Sequence, residues 1–491
     1  MAKPRQLDAN GKPKFGMADK LAYAAGDFGC NMSFSLKGTV QTFWLVFMML
    51  ETGLLSALLL IVQIWDAVND PLIGSMIDSD RRQYKLGKFK TYILIGAIGL
   101  LVAGALVFIP VPNAKLWIKV ALFIGGYIVW DACYTIANVP YGSMLSLVTE
   151  DAGERAQLST WRSIGSLFGN MLPMVLLPML IWKDRVDENG NTVMNPETGE
   201  KVQDLLGDRV FFVALIMGVI GFVSFIFMLK KITVRVDEST VKVNENQKFN
   251  IFKAFANFIT NRPAVGATLA AMGMFLGMQS ASTAISIMFA VYFGNGALSG
   301  VVTIIGFIPM IFFMPFIKNI VAKWGKKEAS VFGALAALVG GALMFVFPLI
   351  PNKTVALIVY MLCLSVFGLG MGIYTCVSWA LMADAIDYNE WKTGKREEGT
   401  VYSLHSFFRK LAQGIGPSIV LLLMGALGYN SELQVGFQSA QTAANMCWLV
   451  SGLYLFSAVL MFVGLGIVYN LDKKTTAIMT EELNARKSSE N

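Results

Sequence analysis

The chain has 491 residues, a formal net charge of +7 and a single histidine; 55% of its residues are hydrophobic and 15% charged. So little charge cannot cover a water-soluble protein of this length, and the apolar residues fall in runs long enough to cross a membrane. The basic residues gather in alternate loops, as the positive-inside rule requires, which argues against nucleic acid as a partner.

The pattern predicts an all-α integral membrane protein with twelve spans, approximately 24–49, 53–77, 91–110, 116–140, 159–182, 209–230, 263–293, 297–317, 329–350, 354–381, 400–428 and 444–470. An even number puts both termini on one side. The basic segments 81–90, 230–262 and 318–327 make that side the cytoplasm.

In chain order, span one carries Asn31 and Lys37 inside apolar sequence. Lys37 either snorkels to the membrane surface or pairs with an aspartate. Span two carries Trp65-Asp66-Ala67-Val68-Asn69-Asp70-Pro71. On a helix Asp66, Asn69 and Asp70 project from one side, and two carboxylates one turn apart call for a cation or a proton. In span four Asp131, Thr135 and Asn138 share a face. Set beside Asp66 and Asp70, these oxygens suit a hard monovalent cation or a proton; Asp131 equally suits a hydrogen bond to a neighbouring helix. Span five brings Arg162, a planar fork for hydroxyls or a carboxylate.

The loop 183–208 holds two turn signals, Asn189-Gly190 and Thr198-Gly199, and reads either as a small hairpin or as a solvated loop. The segment 231–262, whose second part 249–258 reads as an amphipathic interfacial helix, divides a bundle over 1–230 from one over 263–470. A charged tail, 471–491, is expected to be mobile and cytoplasmic. In span eleven His405 and Arg409 share one face, and Ser406, Lys410 and Gln413 another. Carboxylates thus sit in the first half and cations in the second. Trp44, Trp65, Tyr134 and Trp379 are packing or interface residues, one or two of which could stack on a sugar.

The sequence has no GxxxxGK[ST] loop, no nucleophile motif and no metal-ligand spacing. Its five cysteines lie in apolar runs as packing residues. An enzyme and a bound cofactor are therefore not expected.

Several of these stretches together resemble the glycoside–pentoside–hexuronide:cation symporters of the major facilitator superfamily, typified by the melibiose permease. They are Lys20 to Gly29 with Asn31, Trp65 to Pro71, Leu86 to Lys90, Tyr134 to Tyr141, Glu154 to Leu158 with Arg162, and Asp384, Asp387-Tyr388, Glu390 to Gly394 and Lys410. The resemblance implies alternating access by two six-helix bundles in the plasma membrane of a bacterium, acting as a monomer on a small sugar. It places the coupling ion, a proton or sodium, at Asp66, Asn69, Asp70 and Thr135. It places sugar at Asn31, Asn138, Gly142 and Arg162 in the first half, and at Ser406 and Lys410 in the second.

Asn31 and Asn138 stand where the melibiose permease has aspartates, and Gly142 replaces a sugar-stacking tryptophan. With Arg409 added beside Lys410, the substrate is expected to be anionic, most simply a glucuronide or other hexuronide, with neutral glycosides or pentosides as the alternative. The tract from Tyr402 to Lys410, including His405, is similar to the glucuronide carriers of this family. Asp131 stands where the permease has glycine, and its added like charge is expected to favour a proton over sodium. A non-transporting sensor and a lipid carrier on the same fold are the readings from other classes.

Overall fold

The computed structural model describes residues 13–149, 151–236, 251–394 and 398–490. It divides into two compact units. The first comprises Met1–Lys183 with Asp204–Asn246, the second Asp184–Gln203 with Gln247–Asn491.

In the first unit, α1 (Met17–Phe34) and α2 (Leu36–Thr42) run into a π-helical turn at Phe43–Phe47. Lys119 donates to the carbonyl of Met48 at 2.7 Å, which satisfies an acceptor where this span ends. Then follow α3 (Thr52–Ser79), α4 (Lys88–Leu106), α5 (Leu116–Val148), α6 (Ala152–Ile181) and α7 (Gly207–Lys231). Apolar residues occupy nearly all sides of these helices, as expected where one side meets protein and the other lipid. Polar side chains tie them together: Trp130 Nε1 donates to Ser33 Oγ at 2.7 Å, and Trp44 Nε1 to the Val107 carbonyl at 3.0 Å.

Between α6 and α7 the chain forms β1 (Trp182–Asp184) and β2 (Gln203–Leu205), a two-stranded pair. The hairpin is therefore real. Gly190 and Gly199 take φ of 81° and 68°, so both turns need the left-handed backbone that glycine adopts without strain. Its segment 184–203 belongs to the second unit, although both its ends continue into the first. Buried Asn195 donates to the carbonyls of Gly436 and Gln438 at 2.8 and 3.0 Å.

The second unit has α8 (Ile251–Thr260), α9 (Arg262–Phe275), a π-helical turn at Leu276–Ser280, α10 (Ser282–Val291), α11 (Leu298–Phe313), α12 (Ile317–Trp324), α13 (Lys326–Leu343), α14 (Lys353–Thr393), α15 (Glu398–Ala426), α16 (Ala440–Phe462) and α17 (Lys473–Glu490). Residues 237–250 of the connecting segment lie outside the described residues. The expected interfacial helix is α8: its Phe258 is buried and stacks on Phe408 of α15 with ring centroids 5.9 Å apart.

Among the described residues ten helices are long and apolar enough to cross a membrane, and they coincide with expected spans two to six and eight to twelve. Spans one and seven are helical but interrupted: span one breaks at Ser35 between α1 and α2 and ends in its π-helical turn, and span seven is broken by the π-helical turn at Leu276–Ser280, which inserts a residue and resets the register. The tail departs from expectation. It forms α17, held by Lys473 N to Glu328 Oε1 (3.0 Å), Trp391 Nε1 to Glu482 Oε2 (2.6 Å) and Arg486 to the Trp391 carbonyl (3.1 Å). Its charge suggested solvation, but several of the polar groups find partners on α13 and α14.

Candidate functional site

The first unit gathers its intramembrane polar residues in two clusters. In the first, α3 packs on α5 and brings Asn69 against Asp131 and Thr135. Asn69 is fully buried and its Nδ2 donates to Asp131 Oδ2 at 3.2 Å and to Thr135 Oγ1 at 2.9 Å. Thr135 Oγ1 donates to Asp70 Oδ1 at 2.9 Å. The amide thus bridges the two helices, and the hydroxyl passes the chain on to the carboxylate. Asp66 is close enough to Asp131 and to Lys37 to interact with both electrostatically. All five residues expected at the cation site therefore belong to one cluster, and buried Asn69 Oδ1 has no hydrogen-bond partner among the described residues.

Asp131 also faces a cation. Lys37 Nζ stands 3.6 Å from Asp131 Oδ1, with the Asp131 side chain wholly buried and that of Lys37 22% exposed. The ammonium lies 5.1 Å from the ring centre of Phe34 and 5.7 Å from that of Tyr127, each roughly one turn from a member of the pair. Of the two sequence readings of Lys37, pairing is the one observed. The extra carboxylate does not, then, add a bare like charge to Asp66 and Asp70, which was the premise for expecting a proton preference. Among the described residues no three His, Cys, Asp or Glu side chains converge as a metal-ligand cluster.

The second cluster centres on Arg162. Its Nε donates to Asp27 Oδ1 at 2.9 Å, and the Arg162 side chain remains 38% exposed while Asp27 is buried. Its guanidinium covers Tyr141 at 5.1 Å, and Tyr141 stacks on Tyr23. Asn31 Nδ2 donates to Asp27 Oδ2 at 3.0 Å, while Asn31 Oδ1 accepts from Asn170 Nδ2 at 2.7 Å. Asn31 and Arg162 thus meet through Asp27. Asn138 is half-buried. A Cβ added at Gly142 would meet nothing within 4 Å, so the position is open. Sequence reasoning missed Asp27, seen only as part of a motif, and Asn170. The available signal was the spacing Arg162, Ser166, Asn170, four residues at a time along α6.

In the second unit the expected residues lie along α15. His405 is buried, and its Nδ1 is 2.9 Å from Thr268 Oγ1. The Arg409 guanidinium lies 5.7 Å over Trp379 and 5.5 Å over Phe275. Trp379 is 51% exposed and stacks on Tyr402, with centroids 5.8 Å apart and planes at 22°. Among the candidate aromatics Trp379 is thus an exposed ring beside the positive charge of Arg409. Ser406 is half-buried and Lys410 exposed.

The sequence profile of the family described as "MFS/sugar transport protein" matches residues 22–473. An uncharacterized symporter of Bacillus subtilis (strain 168), YjmB, is 28% identical over 485 residues, covering 96% of both chains. The glucuronide carrier protein homolog of Escherichia coli (strain K12) is 27% identical over 412 residues, covering 83% of each. The isoprimeverose transporter of Lactiplantibacillus pentosus is 28% identical over 468 residues, 93% of this chain and 89% of its own. Among solved structures a D-xylose-proton symporter superposes with a TM-score of 0.56 at 17% identity, over 90% of this chain and 96% of that one. That likeness concerns the fold.

Proposed function

Since the chain belongs to the MFS/sugar transport proteins and is a multi-pass membrane protein, we propose that it is a cation-coupled symporter that imports an anionic sugar derivative, such as a glucuronide or other hexuronide, by alternating access. The reading carries with it twelve spans with cytoplasmic termini, spans one and seven being the interrupted ones. The observation that carries the coupling is the Asn69–Asp131–Thr135–Asp70 network with Asp66 beside it. A carboxylate inside an apolar helix costs several kcal/mol unless it is paired, hydrated, protonated or coordinating an ion. Exchange of a proton or sodium ion there is the chemistry their geometry supports. A neighbouring sugar site would be linked to it reciprocally, each ligand raising the other's affinity by one factor.

The anionic preference rests on Arg409. It is a permanent positive charge of a type suited to a carboxylate, set beside the rings of Trp379 and Phe275, and exposed Trp379 offers a flat surface to a pyranose ring. The glucuronide carrier among the relatives accords with this reading, and the isoprimeverose transporter is why neutral glycosides stay the alternative. Uptake of radiolabelled methyl glucuronide and methyl glucoside into membrane vesicles, with proton or sodium gradients imposed, tests both halves. The expected result is gradient-driven accumulation of the glucuronide. Preference for the neutral glycoside would refute the substrate, and uptake indifferent to either gradient would refute the coupling.

A further inference from the structure

The ion pair between Lys37 and Asp131 has a meaning beyond packing, because it stands inside the carboxylate cluster. We infer that Lys37 is a tethered cation that serves the cluster in place of a metal ion and excludes sodium and lithium from it. The inference rests on the assignment of Asp66 and Asp70 as the coupling site. It adds the residue that decides which ions that site accepts.

Three observations carry it. The ammonium is aimed at the cluster from a fixed direction: the Trp130–Ser33 hydrogen bond clamps the end of α1 to α5, and Lys37 follows one turn later between Phe34 and Tyr127. Asp131 is wholly buried, and its Oδ2 is taken by Asn69 while its Oδ1 faces Lys37. Lastly, Asp66 lies within electrostatic reach of both members of the pair, so the ammonium acts on the carboxylates beyond its own partner. A second monovalent cation about 6 Å from that ammonium would be weakened on the order of 100-fold at an effective dielectric constant of about 20. The tethered ammonium also occupies room that a metal ion's coordination shell would need, which a proton on a carboxylate does not require.

Lysine and aspartate together change no net charge, so removing both restores a two-carboxylate site without stranding a buried ion. The test is binding of radioactive sodium to the purified full-length chain, with no sugar present. The wild-type chain is expected to show no saturable sodium binding, and Lys37→Met/Asp131→Gly to gain it. Lys37→Arg keeps the charge and is expected to keep the exclusion. Lys37→Met alone serves as the second variant if the double one is not monodisperse. Saturable sodium binding by the wild type with unchanged affinity in the variants would overturn the inference. So would a folded variant that gains none while Asp66→Asn still abolishes gradient-driven uptake, since the coupling site then stands and only Lys37's role falls. Conversely, gained binding that survives Asp66→Asn in the double variant upholds exclusion by Lys37 and refutes Asp66 as a ligand.

Discussion

The cations at the candidate sites of the two units have different surroundings, although the second unit also pairs Lys326 with buried Asp384. In the first, Lys37 and Arg162 each face a buried carboxylate, Asp131 and Asp27, so both charges are held in place by partners within the unit. In the second, Arg409 is laid over the rings of Trp379 and Phe275. An ion pair consumes the donors of its cation and fixes a geometry. A guanidinium set over rings has π faces beside it where an ion pair has a carboxylate. The first unit thus sets Lys37 and Arg162 against carboxylates, and the second sets Arg409 against aromatic rings.

That contrast can be broken most severely at the carboxylates. Asp66→Asn and Asp70→Asn are expected to abolish gradient-driven uptake, since each removes an intramembrane ionisable group of the coupling cluster, with membrane levels unchanged on an immunoblot. Stranding a partner comes next. Arg162→Gln leaves Asp27 buried without its cation, at a cost of about 3–5 kcal/mol, read as a drop in the detergent-solubilised melting temperature. Asp27→Asn/Arg162→Gln should recover most of it; equal losses in the single and double variants would show that the pair does not stabilise the unit.

The second unit should respond differently. Trp379→Ala removes a stacking face, worth about 1 kcal/mol or more, and is expected to raise KM for the glucuronide about 10-fold with little change in melting temperature. A fall in thermal stability as large as that of Arg162→Gln would instead make the Trp379–Tyr402 stack a packing contact. The smallest effect is expected at the hairpin, an exposed feature. Burial opposes ionisation of Asp184, but hydrogen bonds from Gln203 at 2.6 Å and Lys201 at 3.0 Å, with the lysine's charge, hold its carboxyl below the usual range. A carboxyl depressed in the folded state stabilises above its unfolded pKa of about 4 and loses that contribution as pH falls. With both groups of the pair substantially exposed, the loss is under about 1 kcal/mol. Limited proteolysis of the hairpin should therefore accelerate slightly below that pH, and Asp184→Asn should flatten the dependence.

The sequence by itself determined the helical spans, the facing of Asp66, Asn69 and Asp70, and the turns at Gly190 and Gly199. Each follows from a rule acting within a few residues: apolar run length, the 3.6-residue period, and the backbone freedom of glycine. It also yielded the α5 face that carries Asp131 and Thr135. Only the tertiary structure decided that Lys37 meets Asp131, that Asp27 takes Arg162 and links it to Asn31, and that Trp379 is the tryptophan set beside Arg409. It also decided that the charged tail folds and docks. These contacts join helices far apart in the chain, and they depend on how each helix is turned about its axis. The π-helical turn at Leu276–Ser280 alters that rotation within span seven, where the sequence carries no periodic mark of it. Local periodicity gives the face of a helix; packing alone gives what that face meets.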